Sequence, residues 1–529
     1  MLRIILCLQS VCRRRGCMAC WGSLVWRRAV CLLPGLLLLV LAVLVPENAA
    51  AQELLAGVGK VDITNYEAGP VHDPMYAKAL VLRGGGTTVV LITVDAVAIG
   101  EIGYIGNDFM ENVRGELARR FGIKPECVLA NASHCHGVVR RDADRLSVQA
   151  VAQAMRNLVP VRVGVGRGRE DRVSENRRLK LKNGREADVR HAYALVPDEQ
   201  VAGTGPIDPE IGILRLDRLD GRVLAVVYNF ACHPIQGVPG GANTADMTGI
   251  ASQVIEEALG GGAVALFVQG CAGDINPAYY KAVDFPRNAE ILGTLLASRV
   301  LKAVATIRTE KTDRLQIVRQ MLTLPRADYA RRIAQLEKRR LELLDSLQGT
   351  SLNLKTFMQL SIKHGLWPQF PSYYAYGYLH QRQLKREELK HLDAENRRNL
   401  QAYLRNVQIM EELTRLNTNL RLLRKHHARV QRTGEKTLEV EVAVLRVGKF
   451  FLVTFPGELT VEIGLGIKRR SPHEFTFVAG YTNGYIYYAP TARQLQNQGG
   501  AQEDSDTLLA PQWQEIFESR VQALLRQFQ

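Results

Sequence analysis

The sequence predicts an α/β protein in which apolar strands alternate with helices, and three observations carry that expectation. One order of elements (strand, turn, strand, helix, strand) recurs in three stretches of the chain. Glycine or Asp-Gly punctuation separates the paired strands. The strands also tend to stop on His, Glu, Asp or Tyr, and His, Glu and Tyr are not turn formers. The chain has 529 residues, 47% hydrophobic and 23% charged, an ordinary globular balance with room for one large or two moderate domains.

Taken in order, residues 1–51 are set apart from the fold. The run "LLPGLLLLVLAVLV" follows Arg27 and Arg28 and precedes "PENAAAQ", the pattern of a secretory signal peptide that leaves an exported, periplasmic or extracellular protein. Fourteen residues cover only about two thirds of a bilayer core, so no permanent transmembrane anchor is expected. In the first stretch, "YAKALVLRGGGTTVVLITVDAVAI" reads as a hairpin ending near Asp95. "NDFMENVRGELARRFG" reads as a helix capped by Asn107 or Asp108 and stopped by Gly122, and "ECVLANASHCH" reads as a strand delivering His134 and His136. In the second, "IGILRLDRLDGRVLAVVYNFACHP" ends at His233, "MTGIASQVIEEALGG" is the helix and "AVALFVQGCAGDINP" the next strand. In the third, "LEVEVAVLRVGKFFLVTFPGEL" ends at Glu458, "TVEIGLGIKRRS" is a short helix and "FTFVAGYTNGYIYY" closes the unit. Open α/β sheets place their ligands where such strands run out, so these residues are expected at one site.

The net charge of +15 is unevenly distributed. The leader carries six arginines against one glutamate, residues 326–433 carry 21 Lys/Arg against 10 Asp/Glu, and the remainder is close to neutral. Residues 326–433 are expected as a basic helical insertion between two parts of a catalytic domain, 52–325 and 434–529. The helices are "ARRIAQLEKRRLELLDSLQ" and the long run beginning "EELKHLDAENRR", paired as a hairpin. The aromatic linker "LWPQFPSYYAYGYLH" joins them and could overhang the site as a lid. The arm is either a solvated excursion or a contact surface for an anionic polymer or lipid headgroups. No nucleic-acid recognition module is present, and an exported chain would not meet nucleic acid. The four cysteines outside the leader, Cys127, Cys135, Cys232 and Cys271, are too few for a disulfide scaffold; they read as small buried residues, with a Cys232–Cys271 bridge as the alternative.

Residues two apart on a strand share a face, so His134 and His136 are expected to face one cavity with Cys135 turned away. Two imidazoles with His233 and Glu458 make the nitrogen and oxygen donor set of a catalytic zinc site. Glu458 could instead serve only as a helix-start carboxylate.

With these pieces assembled, the chain resembles the neutral/alkaline non-lysosomal ceramidase family. The matching motifs are "AGVGKVDIT", "MYAKALVL", "ITVDAVAI", "NASHCHG", "ENRR", "GPIDPEIGILRL", "NFACHP", "TADMTG", "QGCAGDINP", "FPGELT" and "GYTNGYIYYAPT", in the family's order between about residues 56 and 492. The resemblance implies packed mixed β-sheets flanked by helices, matching the family's catalytic domain and leaving out its C-terminal β-sandwich. It also implies a Zn2+ amidohydrolase acting on an amide or N-acyl lipid. His134, His233, Glu458 and Tyr488 (in preference to Tyr485) would be the zinc ligands. His136 would be the proton-transfer group, and Arg177 would hold the substrate carbonyl, with Asp274 and Asn276 of "GDINPA" beside it. Asn276 stands where the family has a serine proposed as nucleophile, and an amide can donate to an oxyanion but cannot form an acyl-enzyme. Alternative readings are a zinc esterase, an amidase for small polar substrates, or a non-catalytic binding protein that docks through its basic arm.

Overall fold

The computed structural model describes residues 53–189, 196–282, 284–366, 375–497 and 500–528. The expected leader and the centre of the aromatic linker, 367–374, lie outside the described residues. The first unit comprises β1 (Leu55–Asp62), β2 (Tyr76–Gly84), β3 (Thr87–Val94), α1 (Phe109–Phe121), β4 (Val128–Ala132) and α2 (Ala143–Arg156). The second comprises β5 (Val159–Arg169), β6 (Glu210–Arg218), β7 (Val223–Phe230), α3 (Asp246–Leu259), β8 (Val264–Gln269) and α4 (Ala289–Val304). The third begins with β9 (Leu315–Pro325). Four helices follow: α5 (Ala330–Asp345), α6 (Leu354–Leu366), α7 (Tyr376–Gln383) and α8 (Glu388–Thr433). It resumes with β10 (Thr437–Val447), β11 (Phe450–Thr454), α9 (Val461–Arg470), β12 (Phe475–Ala479) and α10 (Trp513–Arg526).

Each unit therefore has three antiparallel strands, a helical crossover to a fourth strand parallel to the third, and a closing helix. The hydrophobic pattern located the last hairpin, helix and strand of each unit, and the structure adds a leading strand and a closing helix to all three. The first two units join edge to edge in the order β8-β7-β6-β5-β1-β2-β3-β4. Only Leu55 opposite Pro160 and Ala56 opposite Val159 link β1 to β5. The third unit forms a separate sheet, β9-β10-β11-β12.

Side-chain alternation explains how these sheets stack. On β2, Ala77, Ala79 and Val81 join the core beneath α1 and α2, whereas Leu80 and Leu82 face the other way. That second face meets Leu214 and Leu266 of the second unit and Leu445 and Phe477 of the third in one shared core. The outer faces of the second and third sheets are covered in turn, by α3 and α4 and by α9 and α10. The architecture is packed mixed sheets flanked by helices, as expected.

Close packing of α2 depends on glycine. A Cβ on Gly57 would run into the backbone oxygen of Ala154, and one on Gly59 into that of Ala150. Gly59→Val is expected to destabilise the fold by about 1–3 kcal/mol through overpacking, read as a lower urea midpoint with an unchanged slope.

The insertion is helical, as expected. Leu343 of α5 packs with Leu413, Leu416 and Leu420 of α8, and the root of α8 is tied to the body. There His426 Nε2 lies 2.7 Å from Asp506 Oδ1, and Arg429 donates to both oxygens of Glu101 at 2.7 and 3.0 Å. Among the described residues no helix is long and apolar enough to cross a membrane.

Candidate metal centre

One side chain from each unit meets at the strand exits: His134 after β4, His233 after β7 and Glu458 after β11. All three are buried, and their ligand atoms lie within 4.8 Å of one another. His134 Nδ1 sits 2.6 Å from the Val97 carbonyl oxygen and His233 Nδ1 3.0 Å from that of Ile275. A carbonyl only accepts, so both Nδ1 atoms carry a proton, which leaves each Nε2 as the atom facing the cluster. Both Nε2 atoms turn toward Glu458, that of His233 at 3.1 Å and that of His134 at 3.7 Å. Burial opposes ionisation of Glu458, but His134 and His233, when their rings carry a proton on Nε2 as well, and the Tyr485 hydroxyl hold its carboxyl well below the usual range. A metal ion held there would take the place of those Nε2 protons. Two imidazoles, each anchored through Nδ1 to a backbone carbonyl, and one carboxylate are a donor set that, with both Nε2 atoms deprotonated, can hold a divalent metal ion.

The strand-alternation reading of "SHCH" is corrected here. β4 stops at Ala132, and His134 follows in the left-handed region with φ 69°. The loop turns because Ser133 N donates to Val94 O and His134 N to Ala96 O, each at 2.9 Å. As a result His134 and Cys135 are both buried while His136 is exposed, its ring centroid 5.4 Å from that of His134. A non-glycine residue held at positive φ is a strain that the surroundings must impose. Gln269, at the end of β8, supplies part of that restraint. Its side-chain amide donates to Ser133 O at 2.9 Å and to Cys232 O at 2.8 Å, gripping the residue before each histidine.

Four tyrosines follow β12, and the structure divides their work. Tyr481 donates to Glu458 Oε2 at 3.1 Å and Tyr485 donates to Oε1. Burial, together with the Glu458 charge, raises both phenols well above the ordinary value, so they serve as neutral donors. The Tyr488 hydroxyl instead accepts from Arg177 Nη2 at 3.2 Å. Tyr481 and Tyr487 also adopt positive φ, at 53° and 64°.

Asn276 lies in a short antiparallel ladder in which Ile275 faces Asn176, and Arg177 directly follows Asn176, its N–H donating to Asp274 O at 2.9 Å. Arg177, fully buried, donates to Glu503 Oε1 at 2.6 Å, to Asn276 Oδ1 at 3.2 Å and to Gly273 O. Because Arg177 occupies the amide oxygen of Asn276, the orientation of that amide is set. Its buried Nδ2 has no hydrogen-bond partner. Asp274 turns away from this group: its Oδ1 accepts from Val461 N at 2.8 Å and its Oδ2 from Asn176 at 3.1 Å. The helix-start role considered for Glu458 therefore belongs to Asp274, whose carboxyl burial pushes up to about 6. The four cysteines among the described residues are free and buried, so the Cys232–Cys271 bridge is not formed.

Gln269, Tyr481, Glu503 and Asp504 escaped the sequence reading. Glu503 and Asp504 are buried beneath Arg177 and Arg178, far from any strand exit that hydrophobicity marks. The usable signal was "EDSD" lying between glycines and the apolar "TLLA".

No family model and no curated protein sequence matches the chain. Among solved structures, neutral ceramidase from Pseudomonas aeruginosa superposes with a TM-score of 0.56 at 16% identity, covering 90% of this chain and 75% of that one. The chain has the neutral-ceramidase fold. A ceramidase complexed with C2 gives the same TM-score at 18% identity, covering 90% of this chain and 76% of that one. Between β9 and β10 this chain carries a basic four-helix excursion.

Proposed function

We propose that the protein is a zinc-dependent hydrolase that cleaves an amide, with an N-acyl lipid as the substrate class. The observation that carries the reading is the three-unit cluster of His134, His233 and Glu458, with each imidazole's Nδ1 donated to a carbonyl and each Nε2 turned to a shared point. A zinc ion held there supplies a Lewis acid and, at neutral pH, an ionised water as nucleophile. Tyr488 is assigned the fourth ligand position, and Tyr485 and Tyr481 hold the carboxylate of Glu458 in register.

The rest of the chemistry belongs to the chain's own groups. Cleaving an amide builds negative charge on the carbonyl oxygen, and Arg177 with the unpartnered Asn276 Nδ2 provides two donors for it. With asparagine in place of a hydroxyl nucleophile, the acyl-enzyme route is closed and direct attack by water remains. Protonation of the departing amine is assigned to His136, which is exposed beside the His134 ring. Asp274 positions the helix behind the site through the Val461 amide.

The test is metal analysis of the purified protein combined with product release from N-acyl amides and esters. About one zinc per chain and Glu458-dependent amide cleavage are expected; a folded protein that takes up no zinc would overturn the reading. Ester cleavage without amide cleavage would replace it by an esterase. Asn276→Leu should lower kcat by about 10²–10³-fold with little change in KM, the signature of a lost oxyanion donor. Tyr488→Phe should weaken zinc retention more than Tyr485→Phe.

A further inference from the structure

The exposed large hydrophobic side chains of the described residues are unevenly placed: most lie in the helical excursion rather than on the body. Helix α6 shows the pattern most clearly. Phe357 faces inward and stacks on Tyr403 of α8, ring centroids 4.3 Å apart. Asn399 and Asn406 of α8 bond to Ser351 and Gln348 just before α6, so its orientation is set from both sides. The opposite face carries Leu354, Met358, Ile362 and Leu366 at steps of four, between 53 and 71% exposed. Residues four apart on a helix form one row, here about 18 Å long. Lys355 and Lys363 are exposed beside that row. Between Asp345 and Glu387 the chain has five Lys/Arg and no acidic residue.

An exposed apolar row of this length needs an occupant. We propose that the outer face of α6 docks in the interface of an anionic lipid bilayer. A straight row of long aliphatic side chains flanked by lysines matches the headgroup–acyl boundary, which takes apolar groups to a depth of about 5–10 Å while phosphates meet the cations. Charge complementarity favours lipid with a negative headgroup, each cation near such a surface adding about 1 kcal/mol. That the docked protein would reach its substrate from the membrane rests on the N-acyl-lipid reading; the docking itself rests on the α6 face.

Co-sedimentation of the purified protein with phosphatidylcholine vesicles, with and without phosphatidylglycerol, tests the proposal. Binding at least about tenfold tighter to the anionic vesicles is expected, and weakened at high salt. Met358→Glu combined with Ile362→Glu, both at exposed positions, should reduce that binding by about tenfold or more. Turnover of a short, water-soluble N-acyl amide should be unchanged in the double variant. Absence of anionic-vesicle binding, or binding that the double substitution leaves intact, would overturn the proposal. So would a wild-type dimer that the double variant dissociates, since the occupant would then be a second copy of the chain. The vesicle measurement needs no turnover. Docking with no amide cleavage would therefore refute the hydrolase reading alone, and cleavage without docking would refute this one alone.

Discussion

His233→Ala is expected to give a folded protein that retains almost no zinc and turns over N-acyl amides at least about 10³-fold more slowly, a barrier increase of about 4 kcal/mol. Two protein nitrogens and one carboxylate are the smallest donor set that fixes a catalytic zinc, and the substitution removes one of them. The imidazole lost is anchored at Nδ1 by Ile275 O, with its Nε2 3.1 Å from Glu458 Oε2. Circular dichroism establishes that the fold survives, and zinc content per chain reads the site directly. Wild-type zinc content in the variant would place the metal elsewhere. Gln269→Leu makes a graded companion, because it frees the loops before both histidines without touching a ligand. An affinity loss of about 10–100-fold is expected there, the size usual for an outer-shell partner.

The largest expected effect on stability lies behind the site. Arg178 is almost fully buried; it donates to Glu186 at 2.7 Å, to Asp504 at 2.9 and 3.2 Å and to Glu503 at 3.1 Å. Arg178→Met removes the cation and leaves these carboxylates in the interior, at an expected cost of about 3–5 kcal/mol at pH 7. Urea denaturation measures it. Burial already raises the Asp504 carboxyl above its ordinary value even with Arg178 beside it. A carboxyl with a raised folded-state pKa binds its proton more readily in the native state than in the unfolded chain. Stability of the variant should therefore rise as pH falls through that value. Adding Asp504→Asn should recover part of the loss at pH 7. A loss below about 1 kcal/mol would mean that the carboxylates relax to water.

Much of this was legible in the sequence because hydrophobic runs and turn residues are local signals. The hairpin, helix and strand of each unit, the stop at Gly122 and the helical character of residues 326–433 all follow from neighbours along the chain. The donors His134, His233 and Glu458 were legible for a related reason, since they stand where apolar runs end. What stayed hidden depends on contacts across the fold. Left-handed His134 is set by carbonyls after β3, which no periodicity within "NASHCHG" encodes, and so the strand reading of its neighbours failed. Asp274 was taken for chemistry because it sits in a site motif; its partner, the first amide of α9, is 187 residues away. Glu503 and Asp504 lie in a polar stretch that composition would assign to solvent, and only the two buried arginines account for them.

The three-unit construction bears on how the protein is made. A ribosome releases the unit bearing His134 first, then the unit bearing His233, and Glu458 only after the helical excursion has emerged. Any shorter nascent chain presents at most two of the three donors, too few to trap zinc tightly. If the protein holds zinc as proposed, tight capture would wait until the last sheet has closed on the shared core, and zinc uptake would report completed folding.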